Sequence, residues 1–200
     1  RGRLASQKRK GSHVIISAIE HPSIGLTARR LELEGARVTT LPVDREGFVS
    51  PDELRAALTP ETVLVSIMHA NNEIGTLQPI TEVAALCRAR GILCHTDAVQ
   101  SAGKVPLDVK ALGVDLLALS GHKVNAAKGV GALYVRRGVR LSQVVTGHQE
   151  KNRRGGTENV AAIVGFGVAC ELAGRELSKA ETCLARRKRL EQGVLRTPGS

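Results

Sequence analysis

Residues 115–123 read Asp115-Leu116-Leu117-Ala118-Leu119-Ser120-Gly121-His122-Lys123. Four apolar residues run unbroken between an acid and a Ser-Gly-His-Lys tetrad. A strand wetted on one face would alternate apolar and polar positions. A short continuous run belongs instead to a strand covered on both faces, the hallmark of parallel sheets. Polar chemistry then begins abruptly at the strand's carboxyl end.

The same signature recurs on both sides of this stretch. His13 to Ile19, Arg37 to Val43, Thr62 to Met68, Ile92 to His95 and Val130 to Val135 read as further strands, rich in Val, Ile and Leu. Helical patterns separate them. His21 to Glu34 is closed by Gly35. Ser50, Pro51 and Glu53 form a capping box that opens a short helix to about Leu58. Pro79 starts a helix with Ile80, Val83, Ala84 and Cys87 on one face, and Gly91 stops it. Asn159 to Ala173 and Leu177 to Gln192 predict two later helices, the second heavily charged. Alternating strands and helices with apolar strands predict an α/β fold: three layers, a mostly parallel sheet flanked by helices.

Composition narrows the function classes. Of 200 residues, 42% are hydrophobic and 2% aromatic, so the core is built from aliphatic side chains. The net charge of +10 invites a nucleic-acid reading. Its distribution opposes one: residues 1–10 carry five basic groups and no acid, and residues 183–200 carry five against Glu191. That leaves the middle nearly neutral. Phe48, Tyr134 and Phe166 are too few to make a stacking platform. We expect no nucleic acid as partner. No apolar run is long enough to span a bilayer, so no membrane partner is expected either. The chain opens on Arg1 with no signal-peptide pattern, as a segment of a longer protein would. Cys87, Cys94, Cys170 and Cys183 form no C-x-x-C pair, which argues against a metal site. The first three read as small core residues. So few cysteines favour a reducing, cytoplasmic setting, with mitochondria also open.

In parallel α/β sheets, ligands bind beyond the carboxyl ends of the strands. The polar clusters fall there: His21, Asn71-Asn72-Glu73, Asp97 with Gln100, and Ser120-Gly121-His122-Lys123. Singly, each has an ordinary reading. Lys123 would be a solvated surface amine, Asp97 a turn residue, and His21 before Pro22 a helix start. Together they match one cofactor. Pyridoxal 5'-phosphate needs an amine for a Schiff base, a carboxylate beside its pyridine nitrogen, a flat group on its ring and donors for its phosphate.

Six strings then carry a family resemblance: Ser17 to His21, Met68 to Gly75, His95 to Gln100, Ser120 to Lys123, Gly129 to Tyr134 and Arg154 to Asn159. In order and spacing they are similar to the cysteine desulfurases of the NifS/IscS type, within the class V aminotransferase family. The resemblance implies the large domain of a fold-type I pyridoxal-phosphate enzyme. It implies Lys123 as Schiff-base lysine and base, and His21 as the ring-stacking group; these two are the catalytic candidates. Asp97 would pair with the pyridine nitrogen, Gln100 with the ring hydroxyl, and Asn72 with a ring oxygen or the substrate carboxylate. Ser120 and His122 would bind phosphate, and Thr157 the phosphate of a neighbouring subunit, which makes a homodimer.

The implied reaction converts L-cysteine to L-alanine. Sulfur passes to an enzyme cysteine as persulfide and on to an acceptor protein, for iron–sulfur cluster or thio-cofactor biosynthesis. Selenocysteine lyase activity, or a truncated inactive subunit serving dimerisation, are the alternatives. Residues 1–175 would be a partial cofactor-binding large domain, and 176–200 the start of a linker helix towards a C-terminal small domain. The sequence departs from the family pattern at Ala126-Ala127, where a Gly-Pro pair is usual, and shortens the stretch before Thr157.

Overall fold

The computed structural model describes residues 11–197, so the basic segment 1–10 lies outside the described residues. Six strands form one sheet: β1 (His13–Ser17), β2 (Arg37–Leu41), β3 (Thr62–Ser66), β4 (Leu93–Asp97), β5 (Leu116–Ser120) and β6 (Gly131–Val135). Their order is β2-β1-β3-β4-β5-β6. The first five run parallel, and β6 pairs antiparallel with β5.

Successive residues of β1 show why the strands are apolar throughout. Ile15 packs in a core on one face, and Val14 and Ile16 in a second core on the other. Side chains alternate faces along a strand, so a covered sheet needs apolar residues at every position. The first core takes Leu54 from α2 (Pro51–Ala57) and Val83, Ala84 and Cys87 from α3 (Ile80–Ala89). The second takes Ala28 and Leu31 from α1 (Pro22–Leu33). A short α4 (Val109–Leu112), capped by the Asp108 carboxylate, was not expected from the sequence. Of the capping box expected at α2, Ser50 Oγ does accept the Glu53 N–H.

Three strands stop earlier than the sequence predicts, and β4 runs on to Asp97. The early stops have a physical cause on β3. Beyond Ser66, Ile67 and His69 still donate to the carbonyls of His95 and Asp97 in β4. The Met68 N–H faces the other way, where β1 has already ended, and a side chain receives it instead (Glu20, below).

The last described helices are α5 (Val160–Glu176) and α6 (Ala180–Leu195). Only Ala162 and Phe166 of α5 are buried, and Phe166 joins Ala102 and Val124 in a small third core. The sequence reading placed Cys170 in the core; it is exposed. The helix is apolar on more than one side, but one side alone is buried among the described residues. Cys87 and Cys94 are buried as expected. No helix among the described residues is long and apolar enough to cross a membrane.

Candidate active site

The strand order decides where the candidate residues meet. β1, β3, β4 and β5 are consecutive neighbours and parallel, so their carboxyl ends open on one edge. His21 follows β1, Asn72 follows β3, Asp97 ends β4 with Gln100 in the next turn, and Ser120 ends β5. Asp97 pairs with Ala118 in the register of β4 and β5. His122 and Lys123 sit in a one-turn 3₁₀ helix, Gly121–Val124, directly after Ser120. Seven of the eight candidates therefore lie along this rim. Thr157 lies in the exposed loop before α5, with no hydrogen bond to the others.

The turn carrying Lys123 is held by its surroundings rather than by Lys123 itself. Val124 is buried against Phe166 and Ala102. The Gly121 N–H donates to the Val130 carbonyl, and the Ala126 N–H to the Gly121 carbonyl. A Cβ on Gly121 would stand 2.7 Å from a Val130 methyl, and one on Gly131 would stand 2.6 Å from the Leu119 carbonyl oxygen. Both glycines permit the close approach of β6 to this turn. The turn closes at Asn125, with φ of 64°, a conformation asparagine tolerates. Ala126 is not left-handed and packs into the third core. The fold thus forms here without the family's Gly-Pro pair.

Each polar group has a defined role in the structure. Lys123 is exposed and makes no hydrogen bond or ion pair among the described residues. Asp97 Oδ1 accepts the Val99 N–H, and Oδ2 makes no hydrogen bond among them. Ser120 Oγ and His122 Nδ1 are 2.8 Å apart. The Lys104 ammonium donates to Gln100 Oε1 at 2.8 Å and to the Gln100 carbonyl at 2.9 Å. With its oxygen engaged, the Gln100 amide has its Nε2 as the outward donor. Partial burial, then the Lys123 charge, lower the Lys104 pKa. His21 caps α1: its Nδ1 accepts the Ser23 N–H at 3.2 Å. The plain reading of His21 as a helix start is therefore correct, and its ring remains exposed.

The neighbours of these residues hold the rim together. Asn72 is exposed, whereas Asn71 is buried. Asn71 Nδ2 donates to the Ile19 carbonyl, and its Oδ1 accepts from the N–H groups of Glu73 and Ile74. Behind Asp97, His95 Nδ1 lies 2.7 Å from Ser66 Oγ. Burial lowers the His95 pKa to about 4 against the opposing pull of Asp97. His69 Nδ1 lies 2.9 Å from Ser101 Oγ, and burial lowers its pKa too. Glu20 accepts from Ser17 Oγ and the Met68 N–H, at 2.6 and 2.7 Å. Sequence reasoning gave no role to Glu20 or Lys104, and it placed Asn71 in a polar cluster without foreseeing that it is a buried strut. The available signal was an acid placed between a strand end and a helix cap, where no water-facing turn was expected.

A six-stranded, mostly parallel sheet between helices, with this rim at its carboxyl edge, is the large-domain architecture of fold-type I pyridoxal-phosphate enzymes. Residues 2–196 match the family model for aminotransferase class V, and the chain belongs to that family. It is 52% identical over 191 residues to the cysteine desulfurase IscS of Methanosarcina thermophila, across 94% of this chain and 47% of that protein. The solved structure of a NifS-like protein superposes with a TM-score of 0.92 at 37% identity, covering 97% of this chain and 54% of that one. The structure of SspA in complex with cysteine gives 0.81 at 41% identity, over 85% and 50% of the two chains. The chain spans about half the length of the curated relatives it matches.

Proposed function

We propose that this chain is the cofactor-holding core of a cysteine desulfurase that uses pyridoxal 5'-phosphate. The carrying observation is the Lys123 amine just beyond β5, without a partner among the described residues, on the rim where Asp97, with one oxygen likewise unengaged among them, ends the adjacent strand. The donor set fits the cofactor: a free amine, a free carboxylate oxygen, an oriented amide and a hydroxyl–imidazole pair.

When bound, the cofactor supplies an electron sink for negative charge at the substrate Cα. Lys123 would hold it as a Schiff base. The same amine would take the proton at the substrate Cα. Asp97 Oδ2 would hold the proton on the pyridine nitrogen. Gln100 Nε2 would donate to the ring hydroxyl, kept outward by Lys104. The exposed His21 ring would cover the flat face, and Asn72 would meet a ring oxygen or the substrate carboxylate. Ser120 and His122 would bind phosphate, and Thr157 the phosphate of a second copy in a homodimer.

The substrate in this reading is L-cysteine and the product L-alanine. The sulfur goes to an enzyme cysteine as persulfide, then to an acceptor protein for iron–sulfur cluster or thio-cofactor synthesis. That cysteine is not among the four here. Cys87 and Cys94 are buried, and the Cys87 thiol together with burial holds the Cys94 pKa well above the usual thiol range. Cys170 and Cys183 lie inside helices α5 and α6 rather than in a loop. We assign the acceptor cysteine to the part of the relatives that this chain does not cover. In the same reading, residues 1–175 form the partial large domain and 176–200 lead towards a small domain. The four free thiols suit a reducing compartment, cytoplasmic or mitochondrial.

The test is cofactor addition to the purified chain. A yellow absorbance should develop and should be absent in Lys123→Ala. Lys123 is exposed and unpaired, so that variant should unfold at the same urea concentration as wild type. An unchanged yellow band in Lys123→Ala would overturn the assignment.

A further inference from the structure

One buried atom of the rim stands without a partner among the described residues. Glu20 Oε2 is shielded from water and has no hydrogen-bond partner among the described residues. Its partner oxygen, Oε1, is by contrast doubly engaged, by Ser17 Oγ and the Met68 N–H. Buried polar atoms are normally satisfied, so an orphan next to a site needs a reason.

The position of the carboxyl supplies one. β1 ends at Ser17, so the Met68 N–H has no strand carbonyl opposite it, and Glu20 Oε1 stands in for that carbonyl. One bond therefore runs from the turn after β1 to the segment after β3. A second runs the other way, from Asn71 Nδ2 to the Ile19 carbonyl. The turn after β1 carries His21, and the segment after β3 carries Asn72. Each clamp residue is the immediate chain neighbour of a candidate site residue.

We propose that Glu20 is a positioning residue of this site, fastening the turn that presents His21 to the loop that presents Asn72. The inference rests on the cofactor reading above. The charge at this place supports it. Burial foremost, and then the Asp97 charge, push the Glu20 pKa up to about 7, while the bonds from Ser17 and Met68 act in the opposite direction. Asp97 is the charged group that acts on Glu20 through space. A protonated Glu20 leaves Asp97 as the negative charge at this part of the rim, where the pyridine nitrogen needs a single counter-ion. A glutamine there keeps an Oε1 acceptor for both bonds and is neutral at every pH. An alanine removes the clamp altogether.

The experiment uses the full chain with pyridoxal 5'-phosphate as the probe, its dissociation constant measured by quenching of the cofactor's fluorescence. Amide hydrogen exchange at Met68 is followed in parallel without cofactor. Glu20→Ala should bind the cofactor roughly tenfold more weakly, the fold-change of about one lost hydrogen bond. Its Met68 amide should exchange at least about tenfold faster. Glu20→Gln should restore both to within about threefold of wild type. If Glu20→Ala does not fold, Glu20→Asp withdraws the carboxyl by one methylene and should show the same weakening. Wild-type affinity in Glu20→Ala or Glu20→Asp, or a loss in Glu20→Gln equal to that in Glu20→Ala, overturns the inference alone. No cofactor binding by the wild type overturns the cofactor reading and the inference with it.

Discussion

The pH dependence of stability should carry the signature of Glu20, and the substitution Glu20→Gln isolates it. In the unfolded chain Glu20 ionises near its ordinary value of 4.5, whereas in the folded chain it keeps its proton to about 7. Between those values the folded state binds more protons. Stability therefore falls as pH rises through that window, opposite to a salt-bridged acid. A shift of this size corresponds to ~3 kcal/mol. His95 works in the other direction. Its folded pKa of about 4 lies below the ordinary 6.5, so its contribution is complete above pH 6.5 and lost as pH falls towards 4. The two slopes nearly cancel between pH 4.5 and 6.5, and His13 and His69, both lowered by burial, add to the His95 sense. The wild-type profile alone would hide Glu20. The difference between Glu20→Gln and wild type removes every shared histidine. Urea unfolding from pH 4 to 8 should show Glu20→Gln gaining ~3 kcal/mol on wild type between the two ends, most of it between pH 4.5 and 7. A difference constant within ~0.5 kcal/mol, or one that grows on acidification, would refute a buried, protonated Glu20.

Other perturbations read other parts of the frame. Asp115 Oδ2 accepts the Cys94 N–H and Oδ1 accepts from Arg136 Nε, tying the starts of β4 and β5 to the end of β6. Asp115→Ala should lose ~2–4 kcal/mol in urea unfolding by leaving a buried N–H unpaired; a loss below ~0.5 kcal/mol would contradict that role. Gln78, buried, accepts the Val49 N–H and donates to the Gly47 carbonyl at 2.5 Å. Gln78→Ala strands both backbone groups, and its thermal midpoint should drop by several degrees, on the order of 4 °C. Gly131→Ala drives a Cβ onto the Leu119 carbonyl. It should weaken cofactor binding by displacing the Lys123 turn, and unchanged affinity would show that β6 does not brace that turn.

The fold was legible because burial on both faces leaves a strong mark on sequence. The run Leu116 to Leu119 and the matched Ile and Val of β1 and β3 allow no other placement than the inside of a covered sheet. The meeting of the candidate residues at one edge was legible for a related reason. Polar residues that follow such runs stand at strand ends, and parallel strands bring those ends to one edge. Other features depend on partners distant in the chain. Asn71 and Asn72 are identical in type and adjacent, yet one is a buried strut and the other exposed. Only the position of Ile19, far away in sequence, separates them. Cys170 was misplaced for the complementary reason: helix α5 is apolar enough to be buried, but the described residues cover it on one side only. The early end of β3 was invisible because a glutamate side chain, not a strand, takes the Met68 N–H, the first beyond β3 that faces β1.

A common arrangement recurs around this rim. The residue that holds the backbone and the candidate site residue are chain neighbours or lie within one turn of each other. Glu20 precedes His21, Asn71 precedes Asn72, Lys104 orients Gln100, and buried Val124 follows Lys123. Such adjacency limits the error between fold and site, since few rotatable bonds separate the fixed point from the presented group. A site tolerates displacements of only a fraction of an ångström before orientation is lost. It also explains how Ala126 and Ala127 can replace a Gly-Pro pair. The Lys123 turn takes its position from Val124 packing on Phe166 and from Gly121 bonded to Val130, and the loop beyond it contributes Ala126 to that same small core. On this argument, changes at Val124 or Gly121 should disturb cofactor binding far more than restoring glycine and proline at 126 and 127 should improve it.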